Sequence, residues 1–399
     1  MHNENSMAHA QQHSSTLDVF RVFLRLGCTS FGGPTAHLGY FKKAFVDDLR
    51  WFSAADYASM VALCQFLPGP ASSQVGMAIG LRRAGWLGML AAWCAFTLPS
   101  AVALAVFGLS LHHFSVSPDT GWLQGLLAAA VAVVFIAVQS MASSLANTRL
   151  TATLAVAAGI GMLCLPYAWM QLAVLAVSGI AGVLLAPQPG QTVEPTTPAP
   201  VPKRAAMLCG ALFIGLLFVL PVLATTTKTH VFDVFHAFYQ SGALVFGGGH
   251  VVLPLLERQT VATGWVSQEA FLAGYSAAQA VPGPLFTLSA FLGAVDSGPW
   301  GAAVATLAIF TPSLLLVPAG LYFWQRLQQS RWAIRMCGGL NAGVVGILGA
   351  ALYDPVFIHG VRDVASLGVA AVCWLMLKKW NLPPWAVAVG AAVLGWAVL

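Results

Sequence analysis

Two short motifs each occur twice in this chain, and both have the composition of a helix break. Pro68-Gly69-Pro70 recurs as Pro282-Gly283-Pro284, and Phe31-Gly32-Gly33 recurs as Phe246-Gly247-Gly248. Proline removes a backbone donor and glycine permits a bend, so each motif interrupts a helix. A helix that restarts after the break directs free amide hydrogens and the positive end of its dipole at whatever lies before it. The motifs therefore predict binding sites for an anion.

Small polar side chains flank the breaks. Ser72 and Ser73 follow the first Pro-Gly-Pro, and Thr287 is the counterpart of Ser73 in the second copy. Gln65 and Gln279 precede the two breaks and are expected to orient a ligand or to cap the freed carbonyls. The second copy has Leu-Phe where the first has Ala-Ser, which leaves open whether both broken helices touch the ion. Close helix packing at small residues is the alternative explanation of the glycines.

Few titratable residues lie near these breaks. Arg25 lies two helical turns before the first glycine motif and would either pair with an anion or extend to the membrane interface. His37 and His250 follow the two glycine motifs without aligning, and each is a candidate for a proton or anion role. Glu257 is a candidate proton carrier, with an interfacial pair to Arg258 as the alternative.

The candidate substrate-binding set collects the break residues and their polar neighbours. Pro34 and Gly249 join it because each lies where a helix would restart. The full set is Arg25, Ser30, Gly32, Gly33, Pro34, His37, Gln65, Pro68, Gly69, Pro70, Ser72, Ser73, Gly247, Gly248, Gly249, His250, Glu257, Gln279, Pro282, Gly283, Pro284 and Thr287.

The composition decides what kind of protein holds these motifs. Of 399 residues, 58% are apolar and 8% are charged, and the mean hydropathy is +0.78. So little charge excludes a soluble enzyme, because a soluble domain carries about 25% charged residues. The net charge of +5 is too dilute for nucleic-acid binding. No P-loop, HExxH motif or CxxC pair occurs, so neither a cofactor nor a metal is expected.

Apolar segments separated by short breaks predict an all-α polytopic membrane protein with about thirteen spans. Residues 187–202 contain six prolines and predict an extended linker over 187–204. The predicted domains are a disordered cytoplasmic tail (1–16), an N-terminal repeat (17–186), this linker, a connecting membrane helix (205–226) and a C-terminal repeat (227–399). The predicted spans are 20–33, 54–80, 85–111, 121–146, 150–165, 168–186, 205–224, 231–249, 270–294, 299–323, 333–352, 364–377 and 384–399.

The repeated blocks lie 214 or 215 residues apart, which indicates an internal duplication. Seven predicted spans separate the starts of the repeats, an odd number, so the two repeats, of about six helices each, should be inverted in the membrane. Positive charge favours the cytoplasm and predicts a cytoplasmic N-terminus and a periplasmic C-terminus. One cluster, Lys42, Lys43 and Arg50, falls on the wrong side and suggests that the first segment is re-entrant. Thirteen basic residues are assigned to the N-terminal side, namely Arg21, Arg25, Arg82, Arg83, Arg149, Lys203, Arg204, Arg258, Arg326, Arg331, Arg335, Lys378 and Lys379, and five to the other, namely Lys42, Lys43, Arg50, Lys228 and Arg362.

Residues 28–41 and 65–76, with 246–250 and 281–284 in the second half, closely resemble the chromate ion transporter family in its long, two-half form. The resemblance covers the chain apart from the tail and linker. It implies a bacterial inner-membrane protein that exports chromate, confers resistance to it and depends on the membrane potential or proton gradient. The matching motif residues are Gly32, Gly33, Pro34, Gln65, Pro68, Gly69, Pro70, Gly247, Gly248, Gln279, Pro282, Gly283 and Pro284.

These expectations converge on a secondary transporter that exports chromate, driven by the proton motive force or by anion exchange. The residues alone reach only as far as a small anion. A sulfate or other oxyanion carrier, an anion channel and a membrane-embedded sensing subunit remain alternatives. Sulfate is expected to compete, because it is a tetrahedral dianion of similar size. The expected partners are chromate, the lipid bilayer and, as a possibility, a second copy of the chain.

Overall fold

The computed structural model describes residues 15–30, 33–114, 120–165, 170–187, 201–227, 229–246 and 252–399. All regular structure within these ranges is helical, which confirms the predicted all-α class there. Short π-helical turns follow α2 and α13, and a 3-10 turn precedes α12. The helices are α1 (Thr16–Thr29), α2 (Gly33–Lys42), α3 (Ala54–Phe66), α4 (Ala71–Phe114), α5 (Gly121–Leu145), α6 (Arg149–Cys164), α7 (Met170–Leu185), α8 (Lys203–Thr227), α9 (His230–Ala243), α10 (Val252–Thr260), α11 (Gln268–Ala280), α12 (Leu288–Gln329), α13 (Arg331–Ala351), α14 (Ile358–Gly360), α15 (Val364–Lys378) and α16 (Pro384–Val398).

The chain is a multi-pass membrane protein. Five segments of the described chain are long and apolar enough to cross a bilayer, and four shorter helices, α6, α7, α15 and α16, are also apolar. The domain boundaries stay predictions. The five long segments are Ala71–Leu111, Gly121–Leu145, Lys203–Thr227, Leu285–Trp324 and Arg331–Gly360.

Each Pro-Gly-Pro motif lies at the tip of a helical hairpin. α3 ends at Phe66 and α4 begins at Ala71, and the intervening Gly69 has a φ of +123°. Beyond the tip the chain turns back, because Arg82 of α4 forms an ion pair with Asp56 of α3 at 3.6 Å. In the second half the ring of Phe291 in α12 lies against Gly274 of α11.

These hairpins correct the predicted spans near 54–80 and 270–294, since both segments return to the face from which they start. A helix break permits reversal as well as continuation. The ends of the first hairpin are held together by Arg82 with Asp56 and by Arg83, whose guanidinium lies 4.9 Å from the Trp51 ring. In the second half His230 contacts both Asp296, at 2.8 Å, and the ring of Trp265.

The opening segment of each half is also a hairpin rather than a span. Phe23 of α1 contacts Phe45, beyond α2, with ring centroids 5.0 Å apart, and Gln259 of α10 donates to Gln240 of α9 at 2.9 Å. α1 has 14 residues and is about 21 Å long, less than the roughly 30 Å of a hydrocarbon core. The suggestion of a re-entrant first segment therefore agrees with the structure, and the spans predicted near 20–33 and 231–249 do not.

The contact between Trp51 and Arg83 changes the assignment of charge. Lys42, Lys43 and Arg50 were predicted to lie across the membrane from Arg83, whereas the loop that carries them packs on its guanidinium. The error came from treating 54–80 as a crossing segment.

Two further reversals follow the Pro-Gly-Pro hairpins. Helical geometry fails at Gly85 (φ +63°) inside α4 and at Gly298 (φ +65°) inside α12. Gly80 then lies against the backbone of Gly88, so α4 consists of a short arm, 71–83, and an antiparallel long arm, 86–114. α12 divides in the same way, into 288–296 and 299–329.

The two halves of the chain interdigitate. α5 of the first half packs against α15 and α16 of the second, and α13 of the second packs against α6 and α7 of the first. Glycines permit these approaches: Gly121 lies against Gly395, and Gly339 lies against Gly182. The long arms of α4 and α12 meet at the centre, where the rings of Trp93 and Phe310 are 5.9 Å apart.

The hairpin arrangement predicts the accessibility of introduced cysteines. In a variant that lacks the native cysteines, Asp48→Cys and Trp86→Cys should react with a membrane-impermeant maleimide from the same side of the membrane. Thr120→Cys, one long arm of α4 away, is the control and should react only from the opposite side. Labelling of positions 48 and 86 from opposite sides would contradict the hairpin.

Candidate anion site between the two halves

The two Pro-Gly-Pro turns are each hydrogen-bonded by the opposite half of the chain. The Gly69 N–H donates to the Val245 carbonyl at 2.7 Å, and the Gly283 N–H donates to the Ser30 carbonyl at 3.0 Å. The two donors, Gly69 and Gly283, occupy equivalent positions of the repeat, 214 residues apart. The two acceptors, Ser30 and Val245, are also equivalent and lie 215 residues apart. Both acceptors follow the opening helix of the other half, so the hairpin tips of both halves converge in one region.

A buried serine of the opposite half also touches each turn. A Cβ placed on Gly69 would lie 2.6 Å from the Ser313 Oγ, and one on Gly283 would lie 2.6 Å from the Ser100 Oγ. Sequence analysis missed both serines. The signal was present, because Pro99-Ser100 and Pro312-Ser313 form a third repeated pair, but Leu98 has no counterpart and shifts the offset to 213.

The short arm of α4 begins with unpaired donors. Its first backbone bond runs from Gln74 N–H to the Pro70 carbonyl at 2.9 Å, so the amides of residues 71–73 have no acceptor within the helix. The Ser73 hydroxyl and the Ser30 hydroxyl are buried and have no hydrogen-bond partner among the described residues. An unpaired buried hydroxyl costs about 1–3 kcal/mol, so these groups are candidates for ligand contacts.

Gln74, which sequence analysis did not single out, fixes the first turn. Its Nε2 donates to the Pro68 carbonyl at 2.7 Å and to the Ser313 Oγ at 3.1 Å. The side chain therefore joins both ends of the break in its own half to the serine of the other half.

His37 connects the first Pro-Gly-Pro helix to the second turn. The imidazole is buried, with Nδ1 3.3 Å from the Ser72 Oγ and Nε2 3.2 Å from the Ser30 carbonyl oxygen, which also accepts from Gly283. A carbonyl oxygen only accepts, so Nε2 carries a proton, and in the neutral ring Nδ1 accepts from the Ser72 hydroxyl. Hydrogen bonds thus bring Ser30, His37, Ser72 and Gly283 together, and their role in binding a substrate stays a prediction.

The corresponding positions of the second half are largely apolar. Val252 replaces His37, Phe286 replaces Ser72, and Leu288 replaces Gln74. Thr287 is buried, but its hydroxyl already donates a hydrogen bond to the Pro284 carbonyl, at 2.7 Å. The polar side chains therefore belong mainly to the first half, while the second contributes backbone and an apolar wall.

The chain matches the chromate transporter family twice, over residues 17–183 and 232–396. The two matches contain all the hairpins of the region just described. The chain belongs to the chromate transporter family. The linker and the whole of α8 lie outside both matches.

Curated relatives of this family member cover nearly its whole length. A protein named chromate transport protein from Pseudomonas aeruginosa is 28% identical over 95% of this chain and 92% of its own. A probable chromate transport protein from Synechococcus elongatus is 28% identical over 99% and 98%. A chromate transport protein from Cupriavidus metallidurans is 27% identical over 94% and 90%. No solved structure matches the chain.

Four of the predicted residues are exposed or have other partners in the structure. Arg25 and Gln65 have exposed side chains on α1 and α3. Gln279 is hydrogen-bonded to the buried Tyr275. Glu257 faces a second cluster of ionisable groups, which consists of Arg258, Asp354 and His359.

Several predicted residues define the chain path or lie outside the described residues. Gly33, with a φ of +76°, and Pro34 begin α2. Pro68, Pro70, Pro282 and Pro284 flank the glycines of the two turns. Gly32, Gly247, Gly248, Gly249 and His250 lie outside the described ranges. Within those ranges, no group of three His, Cys, Asp or Glu side chains is placed to hold a metal ion.

Because Gly69 has positive φ and no space for a side chain, Gly69→Ala should abolish chromate transport without preventing membrane insertion. Positive φ costs an L-residue about 1–2 kcal/mol, and the new Cβ would collide with Ser313 and Gln74. Gly283→Ala should also abolish chromate transport, because its new Cβ would collide with Ser100. Chromate flux is measured in vesicles with matched protein content.

Gly39→Ala is the matched control for these variants, since a Cβ there meets nothing within 4 Å. It should transport as the parent protein does. Normal flux in both Gly69→Ala and Gly283→Ala would remove the two turns from the transport mechanism.

Proposed function

We propose that this family member is a secondary transporter that exports chromate from the cytoplasm and confers resistance to it. The anion is bound where the hairpin tips of the two halves meet. The observation that supports this best is the pair of buried, unpartnered hydroxyls of Ser30 and Ser73 beside the free amides of residues 71–73.

The chemistry of these groups suits an oxyanion. Hydroxyls and amide hydrogens donate to oxygen, and a helix N-terminus favours negative charge. The exposed Arg25 takes no part, so among the described residues the site is built from neutral donors. The membrane potential acts directly on the charge of the bound species, by about 2.3 kcal/mol per charge per 100 mV.

The two halves are placed in the membrane with opposite orientation. Each half begins with its opening hairpin and its Pro-Gly-Pro hairpin. The chain between these hairpins of the first half and those of the second consists of the long arm of α4, then α5, the pair α6–α7, and α8. The pair returns to its starting side whether or not it crosses, so the number of crossings is odd in either case. One set of hairpins then opens to the cytoplasm and the other to the opposite face, which is the arrangement alternating access requires.

Basic residues support this orientation more strongly after the hairpins are taken into account. Arg258 moves to the outer face with α10, while the cluster of Lys42, Lys43 and Arg50 moves to the inner face. Of the 17 basic residues that the structure describes, only Arg258 and Arg362 then lie outside. This distribution favours a cytoplasmic N-terminus and a periplasmic C-terminus in a bacterial inner membrane.

A general oxyanion carrier is the second candidate, and the neutral donor set favours it. Such donors distinguish one tetrahedral dianion from another only by small differences in size. Sulfate is therefore a competitor of chromate and a possible physiological substrate of the same site.

Chromate flux into everted membrane vesicles tests the proposal. Uptake should saturate with chromate concentration, require an energised membrane or a counter-anion on the opposite side, and be inhibited by sulfate. Downhill flux that does not saturate would identify an anion channel instead. Absence of any chromate flux above that of vesicles without the protein would refute chromate transport.

Removal of one donor should weaken anion binding measurably. Ser73→Ala deletes a hydroxyl whose hydrogen bond to a charged oxygen contributes about 1.5–3 kcal/mol, so the half-saturating chromate concentration should rise by ten-fold or more. Ser143→Ala removes an exposed hydroxyl of α5 and should leave transport unchanged. Equal kinetics of the two variants would exclude Ser73 from the site.

A further inference from the structure

We propose that His37 takes up a proton together with the anion, and that this proton turns the Ser72 hydroxyl from the imidazole toward the anion. The inference rests on the proposed anion site. It adds the proton as a second bound species and names the side chain that holds it.

The hydrogen bonds of His37 define its state before the anion binds. Nε2 lies 3.2 Å from the Ser30 carbonyl oxygen and must donate to it. Nδ1 lies 3.3 Å from the Ser72 Oγ and, in the neutral ring, accepts the Ser72 proton. The hydroxyl proton of Ser72 is therefore directed at the imidazole and is not available to a ligand.

Protonation reverses this bond. With a proton on both nitrogens, Nδ1 donates to the Ser72 Oγ, and the hydroxyl proton rotates away from the ring. Ser72 lies in the first turn of the short arm of α4 and directly precedes Ser73, whose hydroxyl has no partner among the described residues. One proton thus supplies the site with a positive charge and with one more O–H donor.

Binding of the anion and of the proton must then support each other. A dianion favours the imidazolium over the neutral ring, and by linkage the imidazolium favours the dianion by the same factor. The second half has no equivalent, because Val252 occupies the position of His37. The proposed proton site at His37 therefore belongs to the first half alone.

Among the groups packed around this site, His37 is the one whose charge a bound dianion can change near neutral pH. Phe96 of α4 packs on the imidazole, with ring centroids 5.3 Å apart. α3 presents Tyr57 and Cys64, both neutral at that pH. The charged side chains of the packed elements are either exposed or lie at the ends of the hairpins remote from the turns. The exposed ones are Asp18, Arg21, Arg25, Lys42, Lys43, Asp47, Asp48 and Arg50, and those at the remote ends are Arg83, on the Trp51 ring, and the Arg82–Asp56 pair.

Coupled uptake has a consequence for transport. The proton travels in the same direction as the anion, so one net negative charge crosses the membrane with each chromate dianion rather than two. The membrane potential then drives export, while an inward-directed pH gradient opposes it.

Calorimetric titration of the purified full-length protein with sulfate tests the inference. Sulfate is the probe because it stays a dianion between about pH 6 and pH 8, where histidine titrates. Titrations in buffers of different ionisation enthalpy give the number of protons taken up. The parent protein should take up close to one proton per sulfate in the upper part of this range, and its affinity should rise up to about ten-fold per unit decrease in pH.

His37→Gln keeps a side-chain amide but cannot titrate, so it should bind sulfate with no proton uptake and a flat pH profile. His236→Gln, at a half-buried histidine of α9, is the matched control and should behave as the parent protein. Sulfate binding by the parent protein without proton uptake, or uptake that persists in His37→Gln, would overturn the role of His37. Failure of the parent protein to bind sulfate or chromate at all would refute the anion site itself.

Discussion

The structure depends on one constraint, namely that backbone exposed by a helix break must find hydrogen-bond partners in apolar surroundings. The Gly69 amide finds its acceptor in Val245, and the Gly283 amide finds it in Ser30. Neither glycine amide has its acceptor in its own half of the chain. The pairing of the halves is therefore a requirement of the breaks, and the exchanged packing of α5 and α13 extends the same interdependence to the periphery.

The same constraint produces the site. Bringing two hairpin tips together concentrates free amides and small buried hydroxyls in one region. The duplication alone would make this region symmetric, but the side chains have diverged. The second half has Val245, Val252 and Phe286 at the positions equivalent to Ser30, His37 and Ser72 of the first half. The candidate polar donors thus lie mainly on one half, while the other contributes a backbone acceptor.

Sequence reasoning found the breaks because the effects of proline and glycine are local to the chain. It could not find the direction of the chain after a break, which depends on contacts such as that between Arg82 and Asp56. The charge count then misplaced the loop that carries Arg50. Ser313 was overlooked because a single missing residue shifted the repeat, and Arg25 was kept as a candidate because an arginine near a break fits either an ion pair or an exposed position equally well.

Direct localisation of the bound ion tests the central claim, that an oxyanion is held at the meeting point of the two halves. Chromium scatters anomalously, so a crystal structure of the chromate-loaded protein would mark the ion independently of its oxygens. The account predicts one chromium site beside the amides of residues 71–73, with chromate oxygens about 2.7–3.2 Å from the hydroxyls of Ser30 and Ser73. A chromium site elsewhere, for example beside Glu257 and Arg258, with none at the Pro-Gly-Pro turns, would contradict it.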